Sequence, residues 1–225
     1  MLKRMIWPLL LGVVGCAVLL SLGIWQVQRL AWKQALLAEI DAQIVAAPVA
    51  LPDALDPARD QFLPVQVSGR ILDGEITILA SLRSAGPVFR IIRAFETDNG
   101  RRILIDMGFV REVERDTPRP GGPADLVGNL HWPDEIDSYT PAPDLGAGIW
   151  YGRDIPAMAE ALTTEPVLLV LRARPQIDLG VTPFPVDSGS IPNDHLSYAV
   201  TWFLLAAVWL GMTLSLVWRI SKRSN

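Results

Sequence analysis

Two uncharged apolar stretches, one near each end of the chain, limit the possible folds more than any other feature. Met5 to Gln28 contains no Asp, Glu, Lys or Arg, and neither does His195 to Trp218. A helix needs about 20 mainly apolar residues to cross the hydrocarbon core of a bilayer, so each stretch is long enough. The chain therefore reads as two terminal transmembrane helices forming a hairpin, within residues 1–28 and 195–225. An extramembrane domain at 29–194 lies between them.

The charges sort by region. Residues 1–28 carry only Lys3 and Arg4, and residues 196–225 only Arg219, Lys222 and Arg223, with no acid in either segment. The middle region holds all 24 acids and the remaining 15 basic residues, which leaves it at -9. Basic tails outside two apolar spans fit the positive-inside rule with both termini in the cytoplasm, so the middle region is expected in the periplasm. Arg29 and Lys33 just past the first span pull the other way. The second span outweighs them, because no Lys or Arg occurs between Arg174 and Arg219. An acidic domain argues against nucleic-acid binding, which needs a basic face for phosphates.

Cys16 is the only cysteine and lies within the first span, so the outer domain has no disulfide. Val13-Val14-Gly15-Cys16 is similar to the end of a lipoprotein signal. The apolar run nevertheless continues to Ile24 with no small-x-small cleavage site before Trp25, so an uncleaved anchor is expected.

Past the first span, Leu30 to Ala47 reads as a further helix, closed by Pro48, Pro52 and Pro57. Short β-like segments follow at Pro64–Ile71 and Glu75–Leu79, divided by an Asp73-Gly74 turn signal. Val88–Thr97 and Arg102–Val110 flank Asp98-Asn99-Gly100, a hairpin signature. Leu126–Trp132 and Val167–Ala173 complete the strands. Asp154–Leu162 reads as a short helix with Asp154 as N-cap and Pro156 in its first turn. The domain is thus expected to be a mainly antiparallel β (α+β) structure.

That domain offers little to an enzyme. It has His131 and no Cys, which excludes Cys/His nucleophile pairs and Cys-based metal sites. Ser188-Gly189-Ser190 reads as a flexible approach to the membrane, and Asp134, Glu135 and Asp137 as a solvated loop with a weak cation site as the alternative. His131 beside Trp132 reads as structural. Gly108 reads as a bulge or close-packing glycine.

The membrane exits are richer. Trp25, Arg29 and Trp32 stand at i, i+4 and i+7 and share one helix face. Interfacial anchoring explains Trp and Arg there, but not Gln26 and Gln28 so near the bilayer edge. On the second span, His195, Tyr198, Trp202 and Trp209 fall within a sector of about 60°. An imidazole with rings along its face can ligate a haem iron. An interfacial His inside an aromatic belt accounts for the same residues, and composition leaves both readings open.

Leu22 to Lys33 (LGIWQVQRLAWK) and Asn193 to Phe203 (NDHLSYAVTWF) closely resemble the two ends of the Surfeit-locus family of cytochrome c oxidase assembly factors. The layout is similar too, and Gly108-Phe109-Val110 resembles the family's Gly-aromatic-Val strand end. That strand typically reads Arg-Gly-Trp, so Met107 and Phe109 depart from it. The resemblance implies a non-enzymatic factor that helps place haem a in oxidase subunit I. In bacterial members it implies haem a binding, with His195 as iron ligand. Tyr198 and Trp202, on the same helix face, would flank the ring. Trp25 and Arg29 at the first-span exit are further candidate haem-binding residues, with Arg29 able to pair with a carboxylate or a haem propionate. Subunit I, haem A synthase and membrane lipid are the expected partners. No Arg/Ser-rich presequence precedes the first span, so a bacterial inner membrane is expected over a mitochondrial one. The alternatives are a scaffold that never holds haem and a membrane-tethered sensor or adaptor.

Overall fold

The computed structural model describes residues 2–82, 86–175, 180–189 and 191–222, with side chains from Met5 onward. Ser190 and Arg223, and the side chains of Lys3 and Arg4, lie outside the described residues. The chain divides into two compact units, one from Met1–Glu39 with Ser188–Asn225 and the other from Ile40–Asp187.

The first unit is a helix pair. Helix α1 (Leu2–Ile44) is unbroken, so the expected Leu30–Ala47 helix continues the first span without a joint. Its 43 residues extend roughly 65 Å at 1.5 Å per residue, about twice a bilayer core. The half bearing Arg29, Lys33, Glu39 and Asp41 therefore extends past the apolar half. Helix α4 (His195–Lys222) carries Arg219 and Lys222 in its last turn. Both helices are long and apolar enough to cross a membrane.

The two helices run antiparallel, as a hairpin requires. The Trp209 indole Nε1 donates to the Gly12 carbonyl at 3.1 Å, and Gly23 lies against the Phe203 ring. A Cβ built on Gly12, Gly15 or Gly23 would overlap Thr213, Trp209 or Phe203, so small residues are what let the backbones approach. Ser21, Thr201 and Thr213 return their hydroxyls to carbonyls one turn back, which satisfies them without water.

The second unit is a mixed sheet built from β1 (Val49–Ala50), β2 (Pro64–Leu82), β3 (Gly86–Thr97), β4 (Arg102–Val110), β5 (Gly122–His131), β6 (Ile149–Trp150) and β7 (Leu168–Leu171). Helices α2 (Pro57–Asp60) and α3 (Ile155–Leu162) and a 3-10 turn at Glu112–Glu114 complete it. The hydrogen-bonding path closes on itself, running β2–β3–β4–β7–β5 and back to β2. The longest pairings are antiparallel as expected, but β4 and β7 are parallel. Parallel strands need cover on both faces, and the unbroken run Leu168 to Leu171 provides for it. Leu169 and Leu171 face the core inside the ring, while Leu168 and Val170 face α3 and Trp150.

Asp73-Gly74 is not a turn between two strands. Both flanks pair with β3 in one 19-residue strand, and the register shift between Ile71 and Glu75 is a bulge. Gly74 accommodates it at φ +88° with open space around the α-carbon. Helix α3 starts as expected, with Asp154 accepting from Ala157 N at 3.1 Å.

Candidate functional site

The candidate site lies at the polar end of the helix pair. Gln26 is the one uncharged amide of α1 that turns toward α4 and is buried, only 9% exposed. Opposite it stands His195, the first residue of α4. The imidazole Nδ1 lies 2.8 Å from Gln26 Oε1, across 169 residues of sequence. Among the described residues, Nε2 makes no hydrogen bond. Two positions before His195, the buried Asn193 Oδ1 has no hydrogen-bond partner.

The aromatic sector read from the sequence is the seam of the helix pair. Along α4 the less exposed positions are His195, Ala199, Trp202, Ala206, Trp209, Thr213, Val217 and Ile220, spaced by threes and fours. Trp209 is engaged by Gly12 far from His195 along the helix, so it serves packing. Trp202 is half-buried one seam position beyond Ala199. Tyr198 is at the rim of the sector, 55% exposed.

Trp25, Arg29 and Trp32 do form one stripe. The Arg29 guanidinium carbon sits 5.8 Å from the Trp25 ring centroid and 5.3 Å from that of Trp32. At 100° per residue, Trp25 and Arg29 lie about 60–100° around α1 from Gln26, on the flank of the seam. Among the described residues no hydrogen bond or ring contact joins this stripe to His195. Arg29 has no carboxylate partner there.

From the sequence alone Gln26 stands out near the bilayer edge without an assignable role. A polar amide in a charge-free run was the available signal, and its partner was not readable.

The outer domain's charged groups are arranged differently. Asp106 is fully buried and accepts from Arg90 Nε at 2.9 Å and Nη2 at 2.5 Å. Its other oxygen accepts from Gly108 N at 3.0 Å, and Arg153 Nη1 approaches at 3.5 Å. Arg153 in turn binds Glu135, and Arg90 lies over Phe184 at 4.7 Å. Burial pushes the Glu135 carboxyl up, but its bonds to Arg153 outweigh that and hold it low. Asp137 accepts from Tyr139 N and Thr140 N, closing its own loop. The Asp134, Glu135 and Asp137 carboxylates are thus not gathered on a cation, and no group of three potential ligands converges among the described residues.

His131 is held by structure. Gln61 Oε1 accepts from Trp132 N at 2.9 Å, which turns the amide Nε2 toward His131 Nδ1 at 3.1 Å. The ring stacks on Phe62, and burial, with Arg153 nearby, pushes its pKa down to about 4. Gly108, at φ +111°, stands where the β3–β4 register shifts, and Phe109 pairs with Thr182 beside it. It is the bulge glycine expected.

The SURF1 family model matches residues 13–207, from the first span through both exits and the outer domain. The chain is 32% identical over 212 residues to a SURF1-like protein of Drosophila melanogaster, covering 83% of this chain and 70% of that one. It is 29% identical over 227 residues to human Surfeit locus protein 1, covering 89% and 73%. A bacterial SURF1-like protein, from Rickettsia bellii, is 27% identical over 222 residues, covering 92% and 87%. With residues 13–207 matched, taking in part of each terminal helix and the whole of the domain between them, this chain belongs to the SURF1 family.

Proposed function

We propose that this chain is a non-enzymatic assembly factor for a haem a-containing terminal oxidase. It holds haem a at the His195 end of its helix pair and assists insertion into oxidase subunit I. Membership of the SURF1 family supports the oxidase-assembly role. The observation that carries the haem reading is the His195 imidazole, tied to Gln26 through Nδ1 and, among the described residues, without a hydrogen bond at Nε2. Neutral imidazole with an open nitrogen is a metal-binding group.

The residues fit such a ligand. Haem a, when bound, would supply an iron that takes a side-chain nitrogen as ligand. His195 offers the lone pair, and Trp202 and the exposed Tyr198 ring line the same sector of α4. Arg29, lacking a carboxylate partner among the described residues, has donors to spare for a propionate through charge-assisted hydrogen bonds. Trp25 and Trp32 hold its side chain between them. The buried, unpaired Asn193 Oδ1 is an acceptor awaiting a donor.

The location proposed is a bacterial inner membrane, spanned twice, with both termini cytoplasmic and the outer domain periplasmic. Membrane lipid surrounds the spans, and subunit I and haem A synthase are the proposed protein partners. No nucleic acid is involved.

His195→Ala tests the reading in protein purified from a strain that makes haem A. The variant should accumulate in the membrane at normal levels while the haem a absorption bands vanish or shift. His131→Ala should leave the spectrum unchanged. Full haem content and an unaltered spectrum in the His195 variant would favour a scaffold that never holds haem.

A further inference from the structure

We infer that Gln26 is a positioning residue that holds His195 as the Nδ1–H tautomer, so that Nε2 is the nitrogen presented to a ligand. This rests on the haem-binding reading for its consequence, but the tautomer itself does not. An amide oxygen is only an acceptor, so the 2.8 Å contact from Gln26 Oε1 requires the proton on Nδ1. A neutral imidazole carries one ring proton, which leaves Nε2 with a lone pair. Gln26 also fixes the plane of the ring from a second helix, since it belongs to α1 and His195 to α4. Metal-ligating histidines are held this way, the second ring nitrogen donating to an acceptor that sets tautomer and direction.

The choice of an amide is informative. Gln26 is buried in an apolar helix pair, where an unpaired polar group is costly and a carboxylate costlier still. An uncharged amide accepts from the imidazole Nδ1–H without adding a carboxylate charge to the helix pair.

The chain has two histidines, and they are held in opposite states. Gln61 donates to His131 Nδ1, which puts the His131 proton on Nε2. The full chain in detergent micelles, haem-free, with ¹⁵N-labelled histidine at pH 8, therefore supplies its own internal reference. Nitrogen spectra should show one ring protonated at Nδ1 and one at Nε2, with His131→Gln removing the second. Gln26→Leu should abolish the Nδ1–H signal of His195, and Gln26→Glu, which keeps an acceptor, should restore it. Haem titration of the same variants should show about tenfold or greater weakening for Gln26→Leu and near-normal binding for Gln26→Glu.

An Nδ1–H signal that persists in Gln26→Leu overturns the inference, and so, where His195→Ala abolishes haem binding, does haem binding in Gln26→Leu as tight as in the unaltered chain. If His195→Ala still abolishes haem binding, the haem reading survives that failure. If His195→Ala keeps its haem while Gln26→Leu shifts the tautomer, the haem reading fails and the positioning role stands.

Discussion

Asp106→Ala is the most demanding test of the outer domain. The carboxylate is wholly buried and receives two donors from Arg90, the Gly108 N–H and the approach of Arg153. The Arg90 and Arg153 side chains are 10% and 9% exposed, so neither guanidinium can turn out to water when its partner is removed. Breaking a buried pair in this way costs about 3–5 kcal/mol, mainly from the stranded charge. For a unit of about 150 residues, each kcal/mol lowers the melting temperature by about 2–4 °C, giving a loss of about 6–20 °C. The assay is thermal unfolding of the full chain in micelles, followed by near-ultraviolet circular dichroism. Arg90→Met in the Asp106→Ala background should recover part of the loss, because it removes one stranded cation. A melting temperature within about 2 °C of the unaltered chain would refute the reasoning, since it means less than about 1 kcal/mol was at stake.

Gly108→Ala should cost about 3 kcal/mol or more, combining left-handed strain with displacement of the Thr182 carbonyl. Gly74→Ala, with a positive φ but open space, should cost only about 1 kcal/mol; equal losses in the two melts would discredit the close-approach argument. His131 ordinarily titrates at 6.5 and is held down to about 4 in the fold. Its contribution is therefore full above pH 6.5 and is lost as pH falls from there through about 4, because the unfolded chain gains the proton first. That amounts to about 3 kcal/mol by pH 4, and His131→Gln should flatten the pH dependence of stability accordingly. An unchanged slope would remove His131 as the cause. Reporter fusions after Gly122 and after Asn225 should report opposite compartments, and matching signals would end the proposed topology.

The layout was legible because its signals are local. Charge-free runs marked both spans, Asp98-Asn99-Gly100 marked the β3–β4 hairpin, and Asp154 with Pro156 marked the start of α3. What was missed depends on distant partners. Asp73-Gly74 carries the same local chemistry in a turn and in a bulge, and only continuous pairing of β2 with β3 decides between them. The parallel β4–β7 pairing and the closing β2–β5 pairing join segments some 60 residues apart, beyond any hydrophobic period. In the site, the Trp25–Arg29–Trp32 stripe followed from helix geometry alone. Helix geometry groups His195, Tyr198, Trp202 and Trp209 into one sector of α4, but which neighbour that sector faces is not in the pattern. Trp209 consequently belongs to the seam with Gly12.

The 169-residue separation of Gln26 and His195 has a consequence for how the chain is made. Synthesis delivers the amide with the first helix, then an entire folding domain, which in the proposed topology crosses the membrane, and the imidazole only with the last helix. Until that helix enters, Gln26 has no histidine to meet. A ribosome that stalls, or a protease that cuts in the sheet domain, leaves a product that has the first apolar helix but lacks the Gln26–His195 contact. On the proposed haem reading, only a chain translated through its second apolar helix could take up the pigment, so incomplete products would be kept from sequestering it.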